Sequence, residues 1–369
     1  MSLALALRKQ GISSEIFEAR ERGAGLMDRR ILAISHGSKQ TLEWLGAWQG
    51  IDATPIHHIH VSHRGHAGRT VIHAEDERVP ALGYVASLHE IHKALDKAIK
   101  ATGIPYRDNA RIDNVMSEPA HISFNAAGES LQAQLIVHAN GAIDASSVAN
   151  GDIHTQEYDQ HAVTAVVTLR DAPKYTAWER FTPDGPIALL PFGDAFALVQ
   201  TCTPETVTTL TAMPATEFLA QLQTRFGQRL QFAGCGPRYA FPLGLRYRRS
   251  SIAERQVWVG NAAQTLHPVA GQGFNLALRD VRELASVLSA ADDPGSNGTL
   301  TNYARRRRTD RRSIIGFSDL LVRAFSSDNP LLAHPRGVAL TALDLLPGVR
   351  SFVAKRMMYG ARAWTMSCA

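Results

Sequence analysis

Cysteine is scarce: Cys202, Cys235 and Cys368 are the only three in 369 residues. They stand far apart and form no CxxC pair. This excludes a disulfide framework and fits a reducing cytoplasm. No apolar run approaches the roughly 20 residues that cross a bilayer. The apolar opening "SLALAL" is too short for a secretory leader and no cleavage site follows it. There is no Walker loop, no G-x-S-x-G elbow and no paired cysteine, so nucleotide hydrolysis, serine-type acyl transfer and dithiol chemistry lack their signatures. Aromatic residues make up 7% and are not interleaved through the basic run as stacking platforms. With no recognised nucleic-acid module either, no nucleic-acid partner is expected.

What is present is the mix of a soluble globular chain, 45% hydrophobic and 20% charged, able to bury one large or two ordinary cores. Net charge is +5, with much of the excess in "YARRRRTDRRS" (303–313). That run reads either as a solvated helix face or as a patch attracted to an anionic membrane surface.

The opening "MSLALALRKQGISSEIFEAR" reads as an amphipathic helix, a turn at Gly11 and a short strand ending on Glu18. "SLHEIHKALDKAIKATG" (87–103) places Leu88, Ile91, Leu95 and Ile99 at helical spacing and stops at Gly103. "RIDNVMS", "AHISFNA" and "LQAQLIVHANG" read as strands. Residues 151–250 carry further strand candidates, "AVTAVVTL", "PIALLPF" and "AFALVQT", and one helix, "ATEFLAQLQTRFG". Such a block predicts a sheet covering a pocket. After Gly298 the pattern is helical to the end, broken at Pro330, Pro335 and Pro347.

The stretch richest in chemistry is "VWVGNAAQTLHPVAGQGFNLALRDV" (257–281). A β-branched and aromatic strand ends at Gly260 and Asn261. Pro268 stiffens the loop, and Gly271 and Gly273 flank Gln272 where a long helix begins. Glycines at a helix start let a ligand approach bare backbone N–H groups, and the helix dipole there favours negative charge. In "HHIHVSHRGH", alternation puts His58 and His60 on one face. No cysteine or carboxylate lies within that run, so lining or surface roles are expected rather than a metal. His267, beside Pro268, is expected near the ligand.

The 257–281 string resembles the second FAD-binding motif of the single-component aromatic hydroxylases, flavin monooxygenases with the para-hydroxybenzoate hydroxylase fold. "IHVSHRGHAGRTVIHAED", "WERFTPDGPIALLPFGD" and "DRRILAISHGSKQTLEWLGAW" are similar to the ubiquinone-biosynthesis branch of that family, in particular to the 2-octaprenyl-6-methoxyphenol hydroxylases. The resemblance implies an α/β (α+β) fold. A discontinuous Rossmann-like FAD-binding domain takes residues 1–60, 85–150 and 255–295. A β-rich substrate domain takes 61–84 and 151–254, and a C-terminal helical region takes 296–369. It implies FAD contacts from Glu18 (ribose), Arg30, Asn140, Gly141, Gly260, Asn261, Pro268, Gly271, Gln272, Gly273 and Asn275. It further implies NAD(P)H as co-substrate, O₂ addition to give a flavin C4a-hydroperoxide, and hydroxylation of a polyprenylated methoxyphenol. No metal is implied, and no catalytic acid or base is assigned. Contacts with other ubiquinone-biosynthesis proteins and a peripheral place on the inner face of the cell membrane are expected with it, alongside rival readings as a sister hydroxylase or a non-catalytic subunit.

Two departures from the family pattern stand out. Asn140 in "VHANGAIDASS" replaces the family's Asp, which turns an ion pair into a neutral hydrogen bond at a cost of about 1 kcal/mol. The family's first strand and Gly-x-Gly-x-x-Gly loop, which would precede "SLALAL", are not in the sequence. A chain beginning at Met1 is therefore expected to be unstable or to bind FAD poorly. The upstream reading frame is expected to encode the missing strand, a degenerate paralogue being the alternative.

Overall fold

The computed structural model describes residues 1–64, 69–141, 143, 151–182, 185–267, 271–325 and 344–361, with backbone only at 323–325. The amphipathic start forms helix α1 (Ser2–Lys9), which buries Ala4, Leu5, Ala6 and Leu7. Of "ISSEIF" only β1 (Ile16–Phe17) pairs as a strand, and Glu18 follows it. Next come β2 (Ile31–Ser35), α2 (His36–Trp44), β3 (Thr54–Ile56), β4 (His58–His63), β5 (Arg69–His73), β6 (Gly83–Ser87) and α3 (Leu88–Thr102). Ser35 and Ser87 cap α2 and α3 by accepting from the N–H of Ser38 and Glu90. Gly103 closes α3 in the left-handed region, as the sequence predicts.

After β7 (Tyr106–Arg107), which pairs in parallel with β1, three strands form a small antiparallel sheet: β8 (Ile112–Ser117), β9 (Ile122–Ala126) and β10 (Glu129–Ala133). "LQAQLIVHANG" is therefore divided. Its first half closes this small sheet, and its second half is β11 (Ile136–His138). The block from 151 holds β12 (Ile153–Arg170), β13 (Thr176–Phe181), β14 (Ile187–Phe192) and β15 (Ala195–Cys202). It continues with α4 (Pro204–Ala212), α5 (Ala215–Phe226), β16 (Gln231–Cys235) and β17 (Tyr239–Arg248). The strands join β4, β5 and a later strand in one nine-stranded sheet. Helix α4 was not expected; its threonine-rich sequence has weak helical periodicity, and Pro204 starts it. The chain ends with β18 (Ile252–Ala253), β19 (Gln256–Trp258), a 3-10 turn at Gly260–Ala262, β20 (Gln264–Thr265), α6 (Gln272–Leu288), α7 (Asn297–Phe325) and α8 (Pro347–Tyr359). The helical pattern breaks at Leu346, between helical residues 344–345 and the start of α8 at Pro347, while Pro330 and Pro335 lie outside the described residues.

Two cores position everything else. In the first, α6 contributes Leu278, Val281, Leu284 and Leu288 against α1, α3 and Tyr303 of α7. In the second, Phe218, Leu222 and Phe226 of α5 cover Val163, Trp178 and Leu189 on one face of the large sheet.

A buried ionic network ties α6 to the C-terminal helices. Asp280 Oδ2 accepts from the Gly260 N–H at 3.1 Å and from Gln264 Nε2 at 2.9 Å, and its Oδ1 accepts from Arg307 Nε at 2.7 Å. Asp310 accepts from Arg307 Nη1 at 2.8 Å, Arg279 Nε at 2.9 Å and the Ala361 N–H at 2.8 Å. Arg311 donates to Gln264 Oε1 and to the Arg248 carbonyl oxygen. The basic run thus divides. Arg307 and Arg311 point inward, one helical turn apart, while Arg305, Arg306, Arg308 and Arg312 are exposed.

Burial raises the Asp310 carboxyl, but Arg279 and Arg307 outweigh it and hold the group below the ordinary carboxylate range. A folded pKa below the unfolded one gives stability that is full above about pH 4 and lost as pH falls further. Asp310→Asn is expected to cost about 3–5 kcal/mol in urea unfolding at pH 7, because it leaves buried guanidinium groups uncompensated. Arg306→Ala, at the exposed pair with Glu283, is expected to stay within about 0.5 kcal/mol. Equal small losses for both would overturn this account of the network.

Candidate active site

A cavity of about 1210 Å³ lies between the β2–α6 region and the large sheet. One end is built by the strand-to-helix segment. After β19 the chain turns at Gly260, whose φ is +58° and whose N–H is held by Asp280. It re-enters helix at Gly271, again with φ +58°, where a Cβ would stand 3.1 Å from Ala33 Cβ. Both conditions demand glycine. Asn275, buried one turn into α6, fixes the helix against β2. Its Oδ1 accepts from the Ser35 N–H at 2.8 Å, and its Nδ2 donates to the Ala33 and Gly271 carbonyl oxygens at 3.0 and 2.7 Å. Gly273 is different: among the described residues, nothing lies within 4 Å of where its Cβ would be. The first turn of α6 therefore presents bare backbone towards open space, with the positive end of the helix dipole behind it.

The other walls are apolar. β4 supplies Ile59 and Val61; β14, β15 and β17 supply Leu190, Val199, Phe241 and Leu243; Phe317 and Leu321 of α7 and Val353 and Met357 of α8 cover the remaining side. His267 also lines the cavity. It is 2% exposed, and burial pushes its imidazole down from 6.5 to about 4, so it is neutral at pH 7. Its ring stands edge-on to Tyr158 at 5.8 Å, and the Tyr158 hydroxyl donates to Asp319 at 2.7 Å.

The structure gathers Gly260, Asn261, Gly271, Gln272, Gly273 and Asn275 at one end of the cavity, and Arg30 also lines it. Arg30 is engaged by Asp28, Nη2 to Oδ2 at 2.6 Å and Nε to Oδ1 at 3.0 Å. Glu18 stands outside the cavity lining and accepts from the N–H and Nε of Arg20. Asn140 and Gly141 are exposed at the turn after β11, next to the lining residue Ala139. Pro268 lies outside the described residues. Reasoning from sequence missed the support behind this end: Ala33 and Ser35 on β2, and Asp280, whose only signal was an acidic residue on the packing side of a long helix.

A glycine-rich helix start thus faces an apolar sheet across a half-open cavity, and solved FAD-dependent monooxygenases share this fold. The p-nitrophenol 4-monooxygenase PnpA from Pseudomonas putida superposes with a TM-score of 0.76 over 98% of this chain and 95% of its own, at 14% identity. PqsL, a probable FAD-dependent monooxygenase from Pseudomonas aeruginosa, does so at 0.75 over 92% and 95%, at 18% identity. These are likenesses of fold.

The sequence is more specific. Residues 1–318 match the family model described as FAD binding domain. The ubiquinone hydroxylase UbiL of Rhodospirillum rubrum is 31% identical over 97% of this chain and 86% of its own length. The 3-demethoxyubiquinol 3-hydroxylase of Escherichia coli is 30% identical over 93% and 91%. The chain belongs to the FAD-dependent hydroxylases of ubiquinone biosynthesis, and it is a flavin monooxygenase with FAD as cofactor. The bare first turn of α6 and the open space at Gly273 suit a flat, anionic ring system.

Gly273→Val is expected to leave the melting temperature within about 2 °C and to weaken FAD binding roughly tenfold or more in a flavin-fluorescence titration. Unchanged affinity would place FAD elsewhere. For His267, the unfolded chain takes up a proton below 6.5 and the folded chain only near 4. Stability is therefore full above about 6.5 and falls towards 4, by up to about 3 kcal/mol. Urea unfolding of His267→Asn is expected to show a shallower decline than the parent over that interval; identical slopes would contradict a buried neutral imidazole.

Proposed function

We propose that this enzyme hydroxylates the ring of a polyprenylated methoxyphenol in ubiquinone biosynthesis, with NAD(P)H and O₂ as co-substrates. The observation that carries the reading is the continuity of the cavity, from the bare first turn of α6 to an apolar wall formed by the large sheet, α7 and α8. A substrate with an oxygenated ring and a long apolar tail matches that gradient. FAD, when bound, supplies the redox chemistry that activates O₂ and delivers oxygen to an electron-rich ring. The protein supplies the rest. Gly260, Asn261, Gly271, Gln272 and Gly273 hold the flavin, and the α6 N-terminus favours negative charge on its ring system. Ile59, Val61, Leu190, Phe241 and Leu243 exclude water and orient the substrate. His267, neutral and buried at the boundary between the two, is placed to accept a hydrogen bond from the phenol.

Surface features support a peripheral membrane location. Leu345, Leu346, Val349 and Phe352 are exposed along the start of α8, and Leu320 is exposed on α7, near cavity-lining Leu321 and Val353. Exposed Arg308 and Arg312 add attraction to anionic lipid. Among the described residues no helix is long and apolar enough to cross a membrane.

The purified protein is expected to be yellow, to oxidise NAD(P)H faster when given a prenylated methoxyphenol, to release a product one oxygen heavier, and to co-sediment with anionic vesicles. A colourless folded protein with no turnover would sink the enzymatic reading. A product hydroxylated at another ring carbon would move it to a sister reaction, and a protein that stays in the supernatant would remove the membrane surface.

A further inference from the structure

The large sheet has a second face, away from the cavity, and its edge carries a cluster of positive charge. Along β4, Ile59 and Val61 line the cavity, so His60 and Ser62 point the other way. Strand register places Arg180 of β13 beside Ser62 on one side and Arg69 of β5 beside it on the other. The three form one row across adjacent strands, with a small hydroxyl between two guanidinium groups. Arg180 Nη1 donates to Ser62 Oγ at 3.4 Å, and its guanidinium lies over the Phe226 ring at the end of α5. Two residues past Gly227, Arg229 turns back so that its Nη1 donates to His60 Nε2. Arg64 follows β4, its N–H donating to the Phe181 carbonyl oxygen. Burial first, then Arg229, Arg69 and Arg180, push the His60 imidazole down to about 4, so it adds no charge of its own.

Among the described residues, none of Arg64, Arg69, Arg180 and Arg229 is paired with a carboxylate, and Arg180 Nε is buried without a hydrogen-bond partner. Burial and then the like charges of Arg229 and Arg64 disfavour the charged form of Arg180. A stable cluster of this kind calls for a counter-charge, and the guanidinium fork matches the tetrahedral oxygens of phosphate better than any other common anion. We propose that Arg180 and Arg69 beside Ser62, with Arg229 at neighbouring His60, form a binding site for a phosphate-type oxyanion on the face of the sheet opposite the FAD cavity. The ligand is a soluble phosphate or the phosphate of a lipid headgroup. The site is independent of the hydroxylation chemistry, since the sheet separates it from the cavity.

The test uses the full chain with FAD at constant ionic strength. Inorganic phosphate or pyrophosphate is expected to raise the melting temperature by at least about 2 °C over chloride. That gain is expected to vanish in Arg180→Gln/Arg229→Gln. Ser62→Asp places a carboxylate at the centre of the row. It is expected to melt higher than the parent in phosphate-free buffer and to lose the phosphate response, a pattern that a merely structural arginine cluster would not produce. If the double variant fails to fold, Arg229→Gln alone, at an exposed position, and Ser62→Asp carry the test. Binding to phosphatidic acid vesicles but not phosphatidylcholine vesicles, lost in the same variants and without a response to free phosphate, assigns the ligand to a lipid headgroup. The site is overturned if neither probe has an effect or if the variants respond like the parent.

Discussion

The carboxylate of Asp280 is the constraint on which the site depends. It is buried on α6, and its two oxygens face different parts of the molecule. One holds the Gly260 N–H and Gln264, so it sets the turn that enters the flavin site; the other holds Arg307 of α7. A buried charge of this kind persists only when fully bonded. The required partner comes from the basic run of α7, so part of the chain's positive excess works internally and does not face solvent. Asn275 does comparable work with a neutral group, spending its amide on β2 and on the carbonyl of Gly271. Together these two side chains hold the Gly260 turn and the α6 start in register, leaving Gly273 bare.

What was legible in the sequence was local. The 257–281 string announced a strand, a glycine turn and a helix start because each residue's conformational demand is met by its near neighbours: positive φ at Gly260 and Gly271, and apolar spacing through Leu278 and Val281. Helix α3, with its serine cap and terminal Gly103, was legible for the same reason. The strands of the large sheet showed through their β-branched runs, though β12 extends well before "AVTAVVTL" because its first half, "IHTQEYDQ", is a polar ribbon paired with β17.

What was hidden depended on distance. Arg307 and Arg306 are adjacent and chemically identical, yet one is buried and the other exposed; only the partner of the helix face decides. Asp280 and Arg307 are separated by half of α6, a loop and the first third of α7. Glu18 and Arg30, read as ligand contacts, find Arg20 and Asp28 two residues away. The row Arg69–Ser62–Arg180 was equally invisible, since it draws one residue from each of three strands.

The hydrogen bond from the Ala361 N–H to Asp310 has a dynamic consequence. Through Arg307 and Asp280 it links the residue just past α8 to the amide of Gly260. Local opening at either end strands a buried charge at the other, so the two ends form one cooperative unit. Their backbone amides should therefore exchange with solvent through a shared opening event, and loosening of the tail and loosening of the flavin turn become the same motion seen from opposite ends.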